Sequence, residues 1–146
     1  RWGYSLMIKS FVYGTLRKGI YNYDLYLKGK NTFKCNAYIK GSLKTIKGKV
    51  YPAFLPEGSN LIIGELHEVD DKLAKQLDEL ECYYGKDDPR NEYNRELLDI
   101  YNQDGEIIDQ AYVYIFNMDN PENKDIIGEE IECHDYVEHT KINNLF

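Results

Sequence analysis

Glu81 is the ionisable residue whose position in the sequence most needs an explanation. The apolar residues of the segment 71–81 recur at helical spacing, and Glu81 falls on the same stripe as Leu77. A carboxylate on the buried side of a helix is costly unless it has a partner. Burial, the helix C-terminus and the neighbouring Asp78 would each raise its pKa, and a carboxylate that titrates near neutrality suits general acid–base catalysis. The spacing leaves equally open that the helix ends at Leu80 and that Glu81 turns out to solvent.

A second candidate, the tetrapeptide Tyr13-Gly14-Thr15-Leu16, ends the first predicted strand. The backbone N–H groups of such a turn can form a concave set of donors for a carboxylate or an oxyanion, and Thr15 adds a hydroxyl. Taken alone, a glycine after a strand more often marks an ordinary turn. The motif therefore predicts an anion-binding floor only in combination with a second functional group.

Charge and composition exclude several classes of partner. The net charge of -7 and the absence of a basic stripe argue against nucleic-acid binding, and no apolar run approaches the length of about 18 residues that a membrane span needs. The three cysteines are odd in number and far apart, which is typical of a reducing, cytoplasmic location. Neither they nor the histidines show zinc-binding spacing, so we expect no metal. These residues are Cys35, Cys82, Cys133, His67, His134 and His139.

The elements that must position these groups can be predicted from hydrophobic periodicity and turn residues. One confident helix is expected over 71–81, with Asp70 as its N-cap, and weaker helical turns over 21–27 and 135–142. In the first of these turns, Leu25 and Tyr26 are expected to point inward. The predicted strands are 7–13, 33–40, 61–69, 92–101 and 107–116, the last two joined by a hairpin at Asp104-Gly105.

Single residues are expected to interrupt this pattern. Gly41 should end the second strand, Pro52 should restrict pairing to a strand edge or end, and Pro121 should lie in a loop. Together the elements predict one α+β domain spanning residues 1–146, with its sheet curled toward a barrel. Arg1 to Leu6 precede the first methionine, and part of this segment is expected to be an addition that does not belong to the natural protein.

Several segments, taken together in their order and separation along the chain, resemble a known family, although no single segment is specific enough alone. They are Phe11 to Gly19, Tyr51-Pro52-Ala53, Gly64 to Val69, Leu77 to Glu81 and Tyr93-Asn94-Arg95. The combination resembles the γ-glutamyl cyclotransferase-like (AIG2-like) family from about Ile8 to Tyr114. The resemblance implies a small mixed, largely antiparallel β-barrel with flanking short helices. It also implies conversion of γ-glutamyl amines or peptides into 5-oxoproline and a free amine, as a transferase or lyase.

Residue roles follow from the same resemblance. Tyr13 to Leu16 would hold the γ-glutamyl moiety, and Glu81 would transfer the protons. The α-amine of the substrate is itself the nucleophile, so no protein nucleophile, metal or cofactor is required. One departure is Cys82, because many relatives have glycine after the catalytic Glu. A residue with a Cβ adopts positive φ less readily, so we expect the helix to end differently here.

Strand residues beside the site could contact substrate, and the hypothesis is that Tyr93, Arg95 or Tyr112 line the pocket. An ordinary sheet face, with Arg95 in a surface ion pair, is an equally good interpretation. The released amine could come from γ-glutamyl-ε-lysine or another γ-glutamylated metabolite, because no motif identifies the amine. No motif indicates the oligomeric state either. Two alternatives stay open: a non-catalytic module that binds a carboxylate-bearing metabolite, and a protein-interaction domain using a tyrosine-rich surface.

Overall fold

The fold of the chain is a mixed α+β arrangement, seen in a computed structural model that describes residues 7–146. The expected addition, Arg1 to Leu6, lies outside the described residues. The strands are β1 (Ile8–Val12), β2 (Thr32–Ile46), β3 (Ala53–Val69), β4 (Tyr93–Tyr101), β5 (Ile107–Phe116) and β6 (Ile127–Glu130). The helices are α1 (Asp71–Leu80), α2 (Pro121–Ile126) and α3 (Tyr136–Ile142), with a π-helical turn at Tyr23–Leu27. The predicted fold class is confirmed.

The sheet closes into a barrel only in part. The strand order is β3-β1-β5-β4-β2-β6, and β2 also pairs with β3, which joins five strands in a ring. Two junctions of that ring consist of one residue pair each: the parallel contact of β1 with β5 at Ser10 and Tyr112, and the contact of β2 with β4 at Tyr38 and Tyr101. We call the first of these the β1–β5 seam. The other pairings are antiparallel, in agreement with the prediction.

Helix α1 begins where the sequence predicts. The side chain of Asp70 accepts a hydrogen bond from the Leu73 backbone N–H at 2.8 Å, which satisfies one of the N–H groups that a helix start leaves without a partner. The apolar stripe of α1 is buried, with Leu77 only 1% exposed. The predicted hairpin also forms, with β4 and β5 antiparallel and Gly105 at φ 80°.

Gly41 does not end the second strand, as the sequence had suggested. The strand continues to Ile46, and Gly41 lies at an irregularity in the pairing of β2 with β3. A Cβ at Gly41 would collide with the Leu55 carbonyl and the Phe54 ring, so glycine allows the close approach of two strands rather than a turn. Pro52 behaves as predicted, because β3 begins immediately after it.

Two other local predictions are wrong. The inward prediction fails for Leu25, which is 65% exposed, but holds for Tyr26, which is half-buried against the core. Leu27 is fully buried instead, because the turn is π-helical and its wider spacing changes which side chains point inward. Pro121 opens α2 instead of lying in a loop, since the first turn of a helix tolerates a missing N–H. The short strand β6 follows directly and was not predicted.

The core consists of two apolar clusters separated by the sheet. Successive residues of β1 contribute to different clusters: Phe11 packs among strand residues such as Val113, whereas Val12 packs in the cluster that includes the buried face of α1. This alternation holds α1 against the sheet near the end of β1. None of the helices within residues 7–146 is long and apolar enough to span a membrane.

Candidate active site

Glu81 is the residue that caps the C-terminus of α1. The helix ends at Leu80, as the second sequence alternative held, yet Glu81 is half-buried and does not turn out to solvent. Cys82 follows with φ 51°, its N–H donates to the Glu79 carbonyl, and the Tyr83 N–H donates to the Asp78 carbonyl. These bonds form a Schellman motif with Cys82 at the left-handed position. Cysteine therefore adopts here the left-handed conformation that a residue with a Cβ adopts less readily than glycine.

The Glu81 carboxyl has a strongly raised pKa of about 8. The larger cause is burial, which penalises the charged form, and the second is the negative charge of Glu92. The surface that Glu81 keeps accessible lies on a cavity wall, so burial still dominates its pKa.

Asp78, expected from the sequence to be the neighbouring charge, is occupied elsewhere. Its carboxylate accepts hydrogen bonds from the Arg95 guanidinium at 2.7 Å and from the Tyr114 hydroxyl at 2.6 Å. Because a cation offsets the Asp78 charge, Glu92 is the carboxylate whose charge acts on Glu81.

The turn after β1 presents unused backbone donors. Gly14, Thr15 and Leu16 are buried, and within residues 7–146 their N–H groups donate no backbone hydrogen bond. Buried N–H groups without an acceptor are rare and favour an anion or another acceptor from outside the chain. A Cβ at Gly14 would lie 2.9 Å from the Pro52 side chain, so a close approach also requires the glycine.

A buried carboxylate fixes this turn from below. Both oxygens of Glu65 lie 3.1 Å from the Lys18 backbone N–H, and its carboxylate also contacts the Arg17 guanidinium at 3.5 Å. Nε2 of His67 lies 3.0 Å from Glu65, and Nδ1 of His67 lies 2.7 Å from the Asn31 amide. The His67 and Lys18 hydrogen bonds and the Arg17 charge lower the pKa of Glu65 in spite of its burial. Sequence reasoning missed this role, although an acid inside an apolar strand is a usable signal.

Two cavities meet at Glu81. The smaller, about 30 Å³, is lined by the turn 13–16 and Tyr114, and the larger, about 210 Å³, is lined on its outer side by Tyr21. The residues that line both are Thr15, Tyr51, Glu81 and Tyr93. The structure thus brings together Glu81, the Tyr13 to Leu16 turn and Tyr93, as the sequence hypothesis required.

The tyrosines around these cavities are held by hydrogen bonds. The Tyr13 hydroxyl donates to the Tyr114 carbonyl and the Tyr93 hydroxyl donates to the Pro52 carbonyl, each at 2.6 Å. The Tyr51 hydroxyl donates to the Glu92 carboxylate, also at 2.6 Å. Burial raises the pKa of the Tyr13 and Tyr93 hydroxyls well above the usual range, so both stay neutral. From the sequence, Tyr51 was named only within a segment that carries the family resemblance, and Glu92 was not proposed for the site.

Arg95 and Tyr112 lie elsewhere. Both line a separate cavity of about 540 Å³, which is larger than the two at Glu81 and lies where β1 and β5 separate beside α1. Arg95 stacks near the rings of Tyr83 and Tyr112, 5.1 Å from each ring centre, while it binds Asp78. Its link to the site is therefore indirect, through Asp78 and Tyr114. Within residues 7–146, no three His, Cys, Asp or Glu side chains are grouped to hold a metal.

A carboxyl that titrates near neutrality, set beside unused backbone donors, defines an acid–base site for a small molecule that presents a carboxylate or carbonyl. The family profile described as gamma-glutamyl cyclotransferase, AIG2-like, matches residues 10–138. The chain belongs to this family, and it is an enzyme of the gamma-glutamyl cyclotransferase type.

Individual relatives agree with this assignment. The chain is 38% identical over 112 residues to the gamma-L-glutamyl-butirosin B gamma-glutamyl cyclotransferase of Niallia circulans, which covers 77% of this chain and 70% of that protein. An AIG2-like protein from Mus musculus has a similar structure, with a TM-score of 0.65, 24% identity, and coverage of 84% of this chain and 86% of that one. The protein PH0828 from Pyrococcus horikoshii has a TM-score of 0.61, 23% identity, and coverage of 94% and 96%. These two structures support the fold alone.

Proposed function

We propose that the enzyme converts a γ-glutamyl amine or γ-glutamyl peptide into 5-oxoproline and a free amine, with Glu81 as the general acid–base. The observation that carries the proposal is the juxtaposition at one cavity of a carboxyl with a pKa of about 8 and the unused N–H groups of Gly14 to Leu16. The Niallia circulans relative is named for a cyclotransferase reaction on gamma-L-glutamyl-butirosin B, which supports this reaction class.

In the proposed mechanism the substrate cyclises on itself. The Glu81 carboxylate takes a proton from the α-ammonium of the γ-glutamyl group, and the freed amine attacks the γ-carbonyl carbon. The new C–N bond closes a five-membered lactam, and the original bond from that carbon to the leaving nitrogen breaks. Glu81 then returns its proton to the departing nitrogen, takes the second proton that the ring nitrogen still carries, and passes it to the released amine, which leaves as an ammonium. One residue can serve in both steps because its pKa lies between those of a normal carboxyl and an ammonium.

Positioning supplies much of the remaining rate. An extended γ-glutamyl chain must fold so that its amine meets its own γ-carbonyl, and holding that conformer removes an entropic barrier. The N–H groups of Gly14 to Leu16 would hold the α-carboxylate, and the neutral Tyr93 would form one wall. The Glu65 contacts then act through the turn, because they fix its backbone without reaching the cavity.

The test is release of 5-oxoproline from a panel of γ-glutamyl amines and dipeptides. We expect release by the wild type, and a loss of at least about a thousandfold in Glu81→Gln. Glu79→Gln is the matched control, since Glu79 is exposed on the same helix and should leave the rate unchanged. Full activity in Glu81→Gln, or tight binding of the whole panel without turnover, would refute the mechanism.

A further inference from the structure

The 210 Å³ cavity beside Glu81 has an uneven distribution of charge. Among residues 7–146, its lining contains two acidic side chains, Glu81 and Glu92, and no lysine, arginine or histidine. Glu92 is the one that carries a charge while Glu81 is protonated. The other lining residues are Thr15, Tyr21, Asn22, Tyr51, Leu80 and Tyr93. The C-terminus of α1 also lies here and contributes the negative end of the helix dipole. Both sources of potential have the same sign, so the cavity favours a cation over an anion.

Hydrogen bonds hold both the side chain and the backbone of Glu92 in place. Its carboxylate accepts from the Tyr51 hydroxyl at 2.6 Å, and its backbone N–H donates to the Cys82 carbonyl at 3.1 Å. Its backbone carbonyl accepts from Asn117 and Asn123, each at 3.0 Å. A carboxylate fixed in this way loses little freedom when it meets a ligand, which strengthens the interaction with a positive charge.

The same cavity provides aromatic surface and an exit. The rings of Tyr21, Tyr51 and Tyr93 line it, and aromatic faces attract cations such as ammonium groups. Tyr21 is 43% exposed at its mouth and contacts Phe146 through its edge, 5.3 Å between ring centres. A group placed here can therefore extend toward solvent, on the side of Glu81 away from the Gly14 turn.

We propose that the 210 Å³ cavity receives the leaving amine and selects a leaving group that carries an additional positive charge, with Glu92 as its counter-ion. Diamines, polyamines and amino sugars are of this chemical class, whereas amino acids, with their carboxylate, are disfavoured. This inference rests on the proposed function, because it assigns the second half of the same substrate.

Two synthetic substrates of equal shape isolate the effect of charge. One is the γ-glutamyl amide of 2-(trimethylammonio)ethylamine, and the other is the γ-glutamyl amide of 3,3-dimethylbutylamine, in which carbon replaces the quaternary nitrogen. The quaternary charge does not titrate, so the ratio of their kcat/KM values is free of substrate ionisation. The wild type should prefer the cation about tenfold at low salt, as expected for one pair of charges near a protein surface.

Glu92→Gln should reduce this preference to less than about threefold. A ratio is used because the same change also alters the pKa of Glu81, which affects both substrates equally. Glu96→Gln, an exposed acid on β4 that does not line the cavity, should keep the tenfold ratio. An equal rate for both substrates in the wild type, or a preference that survives in Glu92→Gln, would overturn the inference while leaving the proposed function in place.

A binding measurement separates the two proposals. Titration calorimetry of Glu81→Gln with the same pair of intact substrates should show the cation bound about tenfold more tightly. If the wild type releases no 5-oxoproline from either compound, the proposed function fails, and the affinity ratio still decides the subsite. If Glu92 instead holds the substrate's own α-ammonium, Glu92→Gln weakens both compounds to the same degree, and the inference is wrong.

Discussion

Glu81→Gln should make the protein more stable, by an amount that depends on pH. The Glu81 pKa of about 8, against an ordinary 4.5, means that the folded state favours the protonated form. The unfolded chain therefore holds fewer protons than the folded protein between pH 4.5 and 8, and stability falls as pH rises through that window. Above pH 8 the full penalty of the charged carboxylate is present. Glutamine has nearly the same shape and cannot ionise, so it escapes this penalty.

The magnitude follows from the size of the shift. A difference of 3.5 pKa units corresponds to at most about 5 kcal/mol, and solvent access to the cavity lowers our expectation to about 1–3 kcal/mol at pH 9. Urea unfolding of wild type and Glu81→Gln at pH 5, 7 and 9 measures this gain, which should be small at pH 5. Glu79→Gln should show no comparable trend. A gain that is absent at pH 9, or equal at all three values, would refute the buried-carboxylate argument.

Four further predictions concern the same surroundings. The kcat/KM of the wild type should rise with pH through about 8, and Glu92→Gln should move this limb to lower pH because Glu92 raises the Glu81 pKa; an unmoved limb would contradict this. Arg95→Gln should move the limb to higher pH, since the Asp78 charge is then no longer offset, and no shift would show that Asp78 is too remote. Cys82→Gly should raise the free energy of unfolding by about 0.5–1 kcal/mol in a urea titration, because glycine adopts a φ of 51° without strain. A lower free energy of unfolding would mean that packing of the cysteine side chain outweighs the relief of backbone strain. Glu65→Gln should lower the free energy of unfolding by about 2–3 kcal/mol at pH 7. This difference should shrink as the pH falls below 4.5, because a carboxyl whose pKa is lowered on folding stabilises the protein only while it is ionised. A loss that does not change with pH would mean that the shape of the side chain, and not its charge, is what stabilises the fold.

Local sequence patterns predicted the elements that frame the site. The period of α1, its Asp70 cap and the Asp104-Gly105 hairpin depend on neighbouring residues, and all three form as expected. Gly41 was misread because the reason for its glycine is a strand 14 residues away in sequence, at Leu55. The π-helical turn was misread because a wider turn shifts the phase of the apolar residues.

The sequence predicted some residues of the candidate site but not others. Glu81 and the Gly14 turn belong to recognisable sequence motifs. Glu92 belongs to none, and its effect on the pKa of Glu81 arises from tertiary contacts between the region that begins β4 and the end of α1. Arg95 was associated with the pocket because it is near Tyr93 in sequence. Residues two apart on a strand share a face, but the cavities on that face are divided, and Arg95 lines a different one from Tyr93.

The β1–β5 seam is a place where ligand binding should change the local stability of the sheet. Strand β1 pairs with β3 along its whole length but meets β5 at one backbone residue pair, so its backbone pairing with the hairpin that bears Tyr93 is the weaker of the two. We expect a ligand held between Gly14 and Tyr93 to join the β1 turn to this hairpin and to reduce local opening at the seam. The amide hydrogens around Ser10 and Tyr112 should then exchange more slowly with solvent, and so report occupancy from a place that the ligand does not touch.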